Sequence, residues 1–174
     1  MSILSRLFGN RQDGRDAVRP IWANIIAIAR QRSWYDPLGV EDSMAGRFDM
    51  ITLVLALVLL RMEREEDLAE PATRLTELFV SDMEGQLRQS GIGDPTVGKH
   101  VRKLVTTLGG RLGALREALP DGPAALVPVL ERNVTVTADC DHAQLASAIA
   151  DLQQVIDQCS DDQLLSGAIT PMQP

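Results

Sequence analysis

The sequence predicts an all-α protein, a single-domain bundle of six to eight helices around a central apolar helix at about residues 43–64. Three observations carry this. Apolar residues recur at helical spacing along nearly the whole chain. No period-two alternation or hairpin signal interrupts that spacing. The run Met50-Ile-Thr-Leu-Val-Leu-Ala-Leu-Val-Leu-Leu60 is apolar on every side, as a helix at the centre of a bundle must be. A chain of 174 residues that is 45% apolar buries a real core without disulfides or metals, and has little room for a second domain.

Residues 1–15 read as a basic, partly flexible arm and 16–170 as the helical domain. The first helix is expected over 16–33, with Ile21, Ile25, Ile28 and Ala29 on one face and a start or kink at Pro20. Trp34-Tyr-Asp-Pro-Leu-Gly39 reads as a loop, because the residue before proline avoids the α region and Gly39 supplies a turn. The central helix follows, with Leu53, Leu57 and Leu60 in the core, and the acidic stretch Glu63–Asp67 ends it. A third long helix covers 68–89, with Leu75, Leu78, Phe79, Met83 and Leu87 on one face. Gly91-Ile-Gly-Asp-Pro95 stops it and starts a fourth over 95–118. Gly109, Gly110 and Gly113 predict a bend there, or another backbone packed close. Asp121-Gly-Pro123 opens a short helix to Asn133 that contains Pro128. Capping boxes at Asp141–Gln144 and Ser160–Gln163 start the last two, over 142–159 and to about Gly167.

Charge narrows the function classes. The net charge is −7 and aromatics are 3%, which argues against DNA and against a stacked-ring nucleic-acid surface. The first 35 residues nonetheless hold Arg6, Arg11, Arg15, Arg19, Arg30 and Arg32 against Asp13 and Asp16, whereas no Lys or Arg follows Arg132. Arginines beside Ile3, Leu4, Leu7 and Phe8 suit peripheral contact with an anionic membrane, although a frayed, solvated terminus is the simpler account. Met1–Gly9 lacks the apolar stretch of a signal peptide, and the eleven-residue central run is short of the roughly 20 a membrane span needs. Two cysteines, Cys140 and Cys159, do not make a disulfide scaffold. The expected location is cytoplasmic.

No constellation for catalysis stands out. Asp139-Cys-Asp-His142 offers metal-ligand atoms, but four adjacent residues cannot converge on one ion and no CxxC or HxxxH completes a tetrahedron. His100 lies in the basic turn Lys99–Lys103, which reads as a solvated face or as a patch for an acidic partner or RNA phosphate. Gly91-Ile-Gly-Asp94 is too short for a dinucleotide fingerprint and follows no strand. No cofactor, metal or enzymatic activity is expected.

The string Trp34-Tyr-Asp-Pro-Leu-Gly-Val-Glu-Asp-Ser-Met-Ala-Gly-Arg-Phe-Asp-Met-Ile51 resembles the signature of the ubiquinol–cytochrome c chaperone family, and an apolar helix ending at Arg61 follows it. Leu78-Phe-Val-Ser-Asp-Met-Glu-Gly-Gln-Leu-Arg88, Gly91–Asp94, Val97-Gly-Lys99, Gly110-Arg-Leu112, Arg132-Asn133 and Leu164-Leu-Ser-Gly167 extend the match in order over about residues 20–170. The resemblance implies a non-enzymatic, bacterial-type assembly factor for the cytochrome bc1 complex (complex III). Its client would be cytochrome b or another bc1 subunit. By analogy with mitochondrial relatives, a small partner protein and the ribosome are further partners. A general helical adaptor, or a ribosome- or RNA-associated factor acting through the basic arm and Lys99–Lys103, is the alternative. On this reading Tyr35, Asp36, Arg47, Phe48, Asp49, Asp82 and Lys99 are the candidate partner-binding residues, since Tyr and Arg favour interface anchors. A structural account competes with it, in which Arg47 pairs with Asp36, Asp49 or Asp82 and fixes the loop against the third helix.

Overall fold

The computed structural model describes residues 14–89 and 94–170, except for the side chains of 87–89, 94–98, 100 and 101. Its elements are helical, as the periodicity predicts, and it holds a single isolated β-bridge. Helix α1 (Arg19–Ala29) opens with Pro20 in its first turn, where the missing N–H is no loss. It ends four residues before the predicted boundary. The stretch expected to be loop instead begins with a one-turn helix, α2 (Arg32–Tyr35), ahead of the Asp36–Pro37 peptide. The physical reason is capping by side chains from that turn. Trp34 Nε1 donates to the Ile28 carbonyl and the Tyr35 hydroxyl to the Ala29 carbonyl, both at 2.8 Å. The Tyr35 bond satisfies a carbonyl at the end of α1, and the Trp34 bond joins the Gln31 N–H on the Ile28 carbonyl.

Helix α3 (Met44–Met62) starts at Ser43, whose Oγ accepts from the Gly46 N–H at 3.2 Å. Every residue from Met50 to Met62 is buried, so this is the predicted central helix. Leu53 and Leu57 are fully enclosed and Leu60 nearly so. Burying one such side chain stabilises the fold by about 1.5–3 kcal/mol. A 3₁₀ turn (Glu66–Leu68) leads into α4 (Ala69–Gln89), and α5 (Asp94–Ala118) follows. The turn expected at Gly91–Gly93 lies outside the described residues. Helix α5 runs unbroken through Gly109, Gly110 and Gly113, and a Cβ at any of them would meet nothing within 4 Å. The close-packed backbone expected there is absent; these glycines face open space.

Helix α6 (Pro123–Asn133) accommodates Pro128 in its interior. Helix α7 (His142–Gln158) is capped by Asp141 Oδ1, which accepts from the N–H groups of Ala143 and Gln144. Helix α8 (Asp161–Leu165) has the complete reciprocal box predicted for Ser160 and Gln163. Around α3 pack α1, α4, α5 and α7, and α6 lies along α7.

One tie across the molecule sets the approach to α3. Val40 bridges to Val136, the Glu41 N–H donates to the Thr135 carbonyl at 3.0 Å, and the Thr137 N–H donates to the Gly39 carbonyl at 2.8 Å. Gly39 has φ of +77° and lies against Cys140, so a side chain there would be both strained and obstructed. The segment before α3 is thereby fastened to the α6–α7 connection.

Candidate functional site

The start of α3 forms one wall of an apolar groove of about 910 Å³. Met44, Phe48 and Ile51 come from α3, Met83 and Gln86 from α4, and Lys103, Leu104 and Thr107 from α5; Arg30, at the end of α1, stands at its edge. Ile51 and Met83 are recessed and almost fully buried, Phe48 and Leu104 are half-buried, and Met44 is 86% exposed. A large apolar side chain held that far out in water is uncommon and marks an interaction surface when it adjoins an apolar concavity. A polar side pocket of about 230 Å³, lined by Arg30, Arg32, Tyr35, Asp42 and Arg47, shares Arg30, Asp42 and Arg47 with the groove.

The candidate residues divide between this groove and the structural frame. Phe48 and Arg47 line the groove, and Tyr35 lines the side pocket. Arg47 pairs with Asp42, Nε to Oδ1 at 2.6 Å, and not with Asp36, Asp49 or Asp82 as the sequence suggested. The reason is local: Asp42 lies just ahead of the Ser43 cap, while the other three carboxylates are engaged elsewhere. Asp36 pairs with Arg32 at 3.0 Å, and Asp82 accepts from the Trp22 indole N–H at 3.1 Å. The bond from Arg47 holds the Asp42 carboxyl below the usual carboxylate range and raises Arg47 in turn. Burial pushes the Tyr35 phenol up, against the pull of Arg47. Lys99 is exposed on α5, one turn before Lys103.

Asp49 belongs to a buried polar lock. Its Oδ1 takes a hydrogen bond from Arg111 Nη2 at 2.5 Å, and its Oδ2 accepts from the Thr135 N–H and hydroxyl at 3.0 and 2.7 Å. Arg111 also donates to the Asp49 and Asn133 carbonyls and to the Thr52 hydroxyl. The Arg111 side chain is only 5% exposed, so the lock joins α3, α5 and the end of α6 away from water. It fixes the rotation of α3 at Asp49 and Thr52, next to Phe48 and within two turns of Met44, and so aims both at the groove. Arg111 was visible in the sequence as a cation among helix glycines and within the Gly110-Arg-Leu112 match, and nothing there announced that it turns inward. Met44, Ile51, Met83, Leu104, Arg30 and Lys103 were likewise not singled out for the groove, because their convergence depends on how four elements pack.

The groove is lined mainly by apolar side chains, with Arg30, Arg47 and Lys103 as its cations. Of its other polar groups, the Ser43 hydroxyl is engaged in capping α3 and the Asp42 carboxylate in the pair with Arg47. Among the described residues, no group of three or more His, Cys, Asp or Glu side chains is placed to hold a metal ion. Cys140 and Cys159 are free, and burial raises both thiols above their ordinary range. No helix among the described residues is long and apolar enough to cross a membrane.

Comparison with known proteins accords with this picture. The crystal structure of the Cbp3 homolog from Brucella abortus superposes with a TM-score of 0.78 at 30% sequence identity, over 98% of this chain and 97% of that one. Comparison with curated proteins gives no match. The profile of the family described as Ubiquinol-cytochrome C chaperone matches residues 36–171, from the loop before α3 past the end of α8. The chain belongs to the ubiquinol–cytochrome c chaperone family.

Proposed function

We propose that this protein is a non-enzymatic assembly chaperone of the cytochrome bc1 complex, and that it holds an apolar segment of cytochrome b in the groove between α3, α4 and α5. The observation that carries this reading is the groove itself. It pairs a recessed apolar floor of Ile51 and Met83 with the protruding Met44, in a chain of a chaperone family. A membrane-protein subunit exposes apolar helix surface before its neighbours arrive, and burial of that surface is the main driving force available to a holding protein. Phe48 and Met44 make the apolar contact, and Arg47 and Tyr35 border it.

The test uses membranes from a strain lacking the gene. Reduced-minus-oxidised spectra are expected to lose the haem b signal of the bc1 complex, with immunoblots showing loss of its subunits, and the wild-type gene restores both. Met44→Asp leaves the fold intact, since Met44 is exposed, and is expected not to restore them. Normal bc1 content in the deletion strain during respiratory growth would overturn the proposal.

A further inference from the structure

We infer that the occupant of the groove is an apolar helical segment carrying a carboxylate at each end of the stretch that fills it. This rests on the holding function proposed above and specifies the chemistry of what is held. The molecule as a whole is acidic, at −7. Around the groove the balance reverses. Arg47 and Arg32 already have carboxylate partners in Asp42 and Asp36. Arg30 and Lys103 have none among the described residues, and Lys99, exposed one turn before Lys103, extends the same cationic edge.

The two unpaired cations stand on separate walls. Arg30 follows α1 and opens into the polar side pocket of about 230 Å³, while Lys103 projects from α5. Both share the groove with the apolar floor of Phe48, Ile51, Met83 and Leu104. An amphipathic helix meets such a surface with its apolar face on the floor and an acid toward each edge. The side pocket receives one carboxylate, near the Arg30 guanidinium, which can bind it in a two-point fork. Lys103 takes the other as a point charge. A bilayer fits less well, because it presents charge in one plane and cannot reach side chains as recessed as Ile51 and Met83.

The experiment measures fluorescence anisotropy of the full chain with a fluorescein-labelled helical peptide. The peptide carries Leu at i, i+3, i+4 and i+7, with Glu flanking this stretch on both sides; a twin carries Gln in place of Glu. The acidic peptide is expected to bind at least about tenfold tighter than its twin, an advantage that shrinks as salt rises. Arg30→Ala with Lys103→Ala is expected to abolish the difference, so that the acidic peptide binds no tighter than its Gln twin. Met44→Asp is expected to weaken both peptides.

Equal affinity for the two peptides would overturn the inference, as would failure of the acidic peptide to bind. Flotation with phosphatidylglycerol vesicles that depends on Arg30 and Met44, without peptide binding, would make the occupant a lipid surface and overturn it too. The bc1 content of the deletion strain is read independently, so loss of the acidic preference leaves the assembly role standing, and loss of the assembly role shows separately.

Discussion

The buried lock at Asp49 gives the sharpest quantitative expectation. Asp49→Ala removes the carboxylate facing Arg111, whose side chain remains 5% exposed and charged. Breaking a buried ion pair from one side costs about 3–5 kcal/mol. Here Arg111 keeps the Asp49 and Asn133 carbonyls and the Thr52 hydroxyl as acceptors, which moves the cost toward the lower end. The Thr135 N–H and hydroxyl both lose their acceptor and add back up to about 1 kcal/mol between them. The expected loss is about 3–4 kcal/mol, a large share of the roughly 5–15 kcal/mol typical of a folded domain. It corresponds to a fall in Tm of about 10 °C. Urea unfolding followed by far-UV circular dichroism reads it, with the slope unchanged. The double variant Asp49→Ala/Arg111→Met leaves no buried charge and is expected to lose less than Asp49→Ala alone. A loss below about 1 kcal/mol, the scale of an exposed pair, would refute the reasoning.

Other expectations follow from single features. Gly46→Ala places a Cβ against the Glu41 carbonyl oxygen, a backbone atom that cannot step aside, and is expected to cost about 1–3 kcal/mol in thermal unfolding. Ser160→Ala opens the reciprocal cap of α8 and is expected to cost about 1 kcal/mol in urea unfolding. Burial, then Asp141 and Asp139, raise the Cys140 thiol, and burial outweighs Arg61 at Cys159. Iodoacetamide is therefore expected to alkylate both slowly at neutral pH, with mass-spectrometric rates still climbing above the ordinary thiol range; rates equal to those of a free thiol peptide would contradict this. Because the native values are raised, the contribution to stability is whole below the unfolded thiol value and is lost as pH rises through the native one. Cys140→Ala is expected to reduce that alkaline loss.

The long elements were legible because each repeats its signal many times. The run from Met50 to Leu60 admits only a central helix, and Ser160 with Gln163 states a helix start in two residues. What misled was punctuation read one residue at a time. Asp36–Pro37 marked a loop correctly but hid the turn of helix before it, because Trp34 and Tyr35 earn their place through bonds to Ile28 and Ala29 on the preceding helix. Gly109, Gly110 and Gly113 signalled a bend or a close approach, and in the structure the helix is continuous there with nothing packed close against them. Arg47 and Phe48, named from the family resemblance as candidates for partner binding, line the groove. Asp49, adjacent in sequence, points into the interior, because a helix turns successive side chains about 100° apart. Arg30 and Lys103 were legible only as members of the basic front and the basic turn Lys99–Lys103, since which cation lacks a partner depends on whether a carboxylate lies nearby in space.

The fastening of residues 39–41 to residues 135–137 also orders events during synthesis. A chain emerges from the ribosome amino end first, so the helices up to α5 are available to pair while the rest is still unmade. At that stage the Glu41 N–H and the Gly39 carbonyl have no partners, and the Asp49 carboxylate lacks Thr135. The start of α3 is thus translated early and locked in place late. A half-made copy has no finished groove to offer a client.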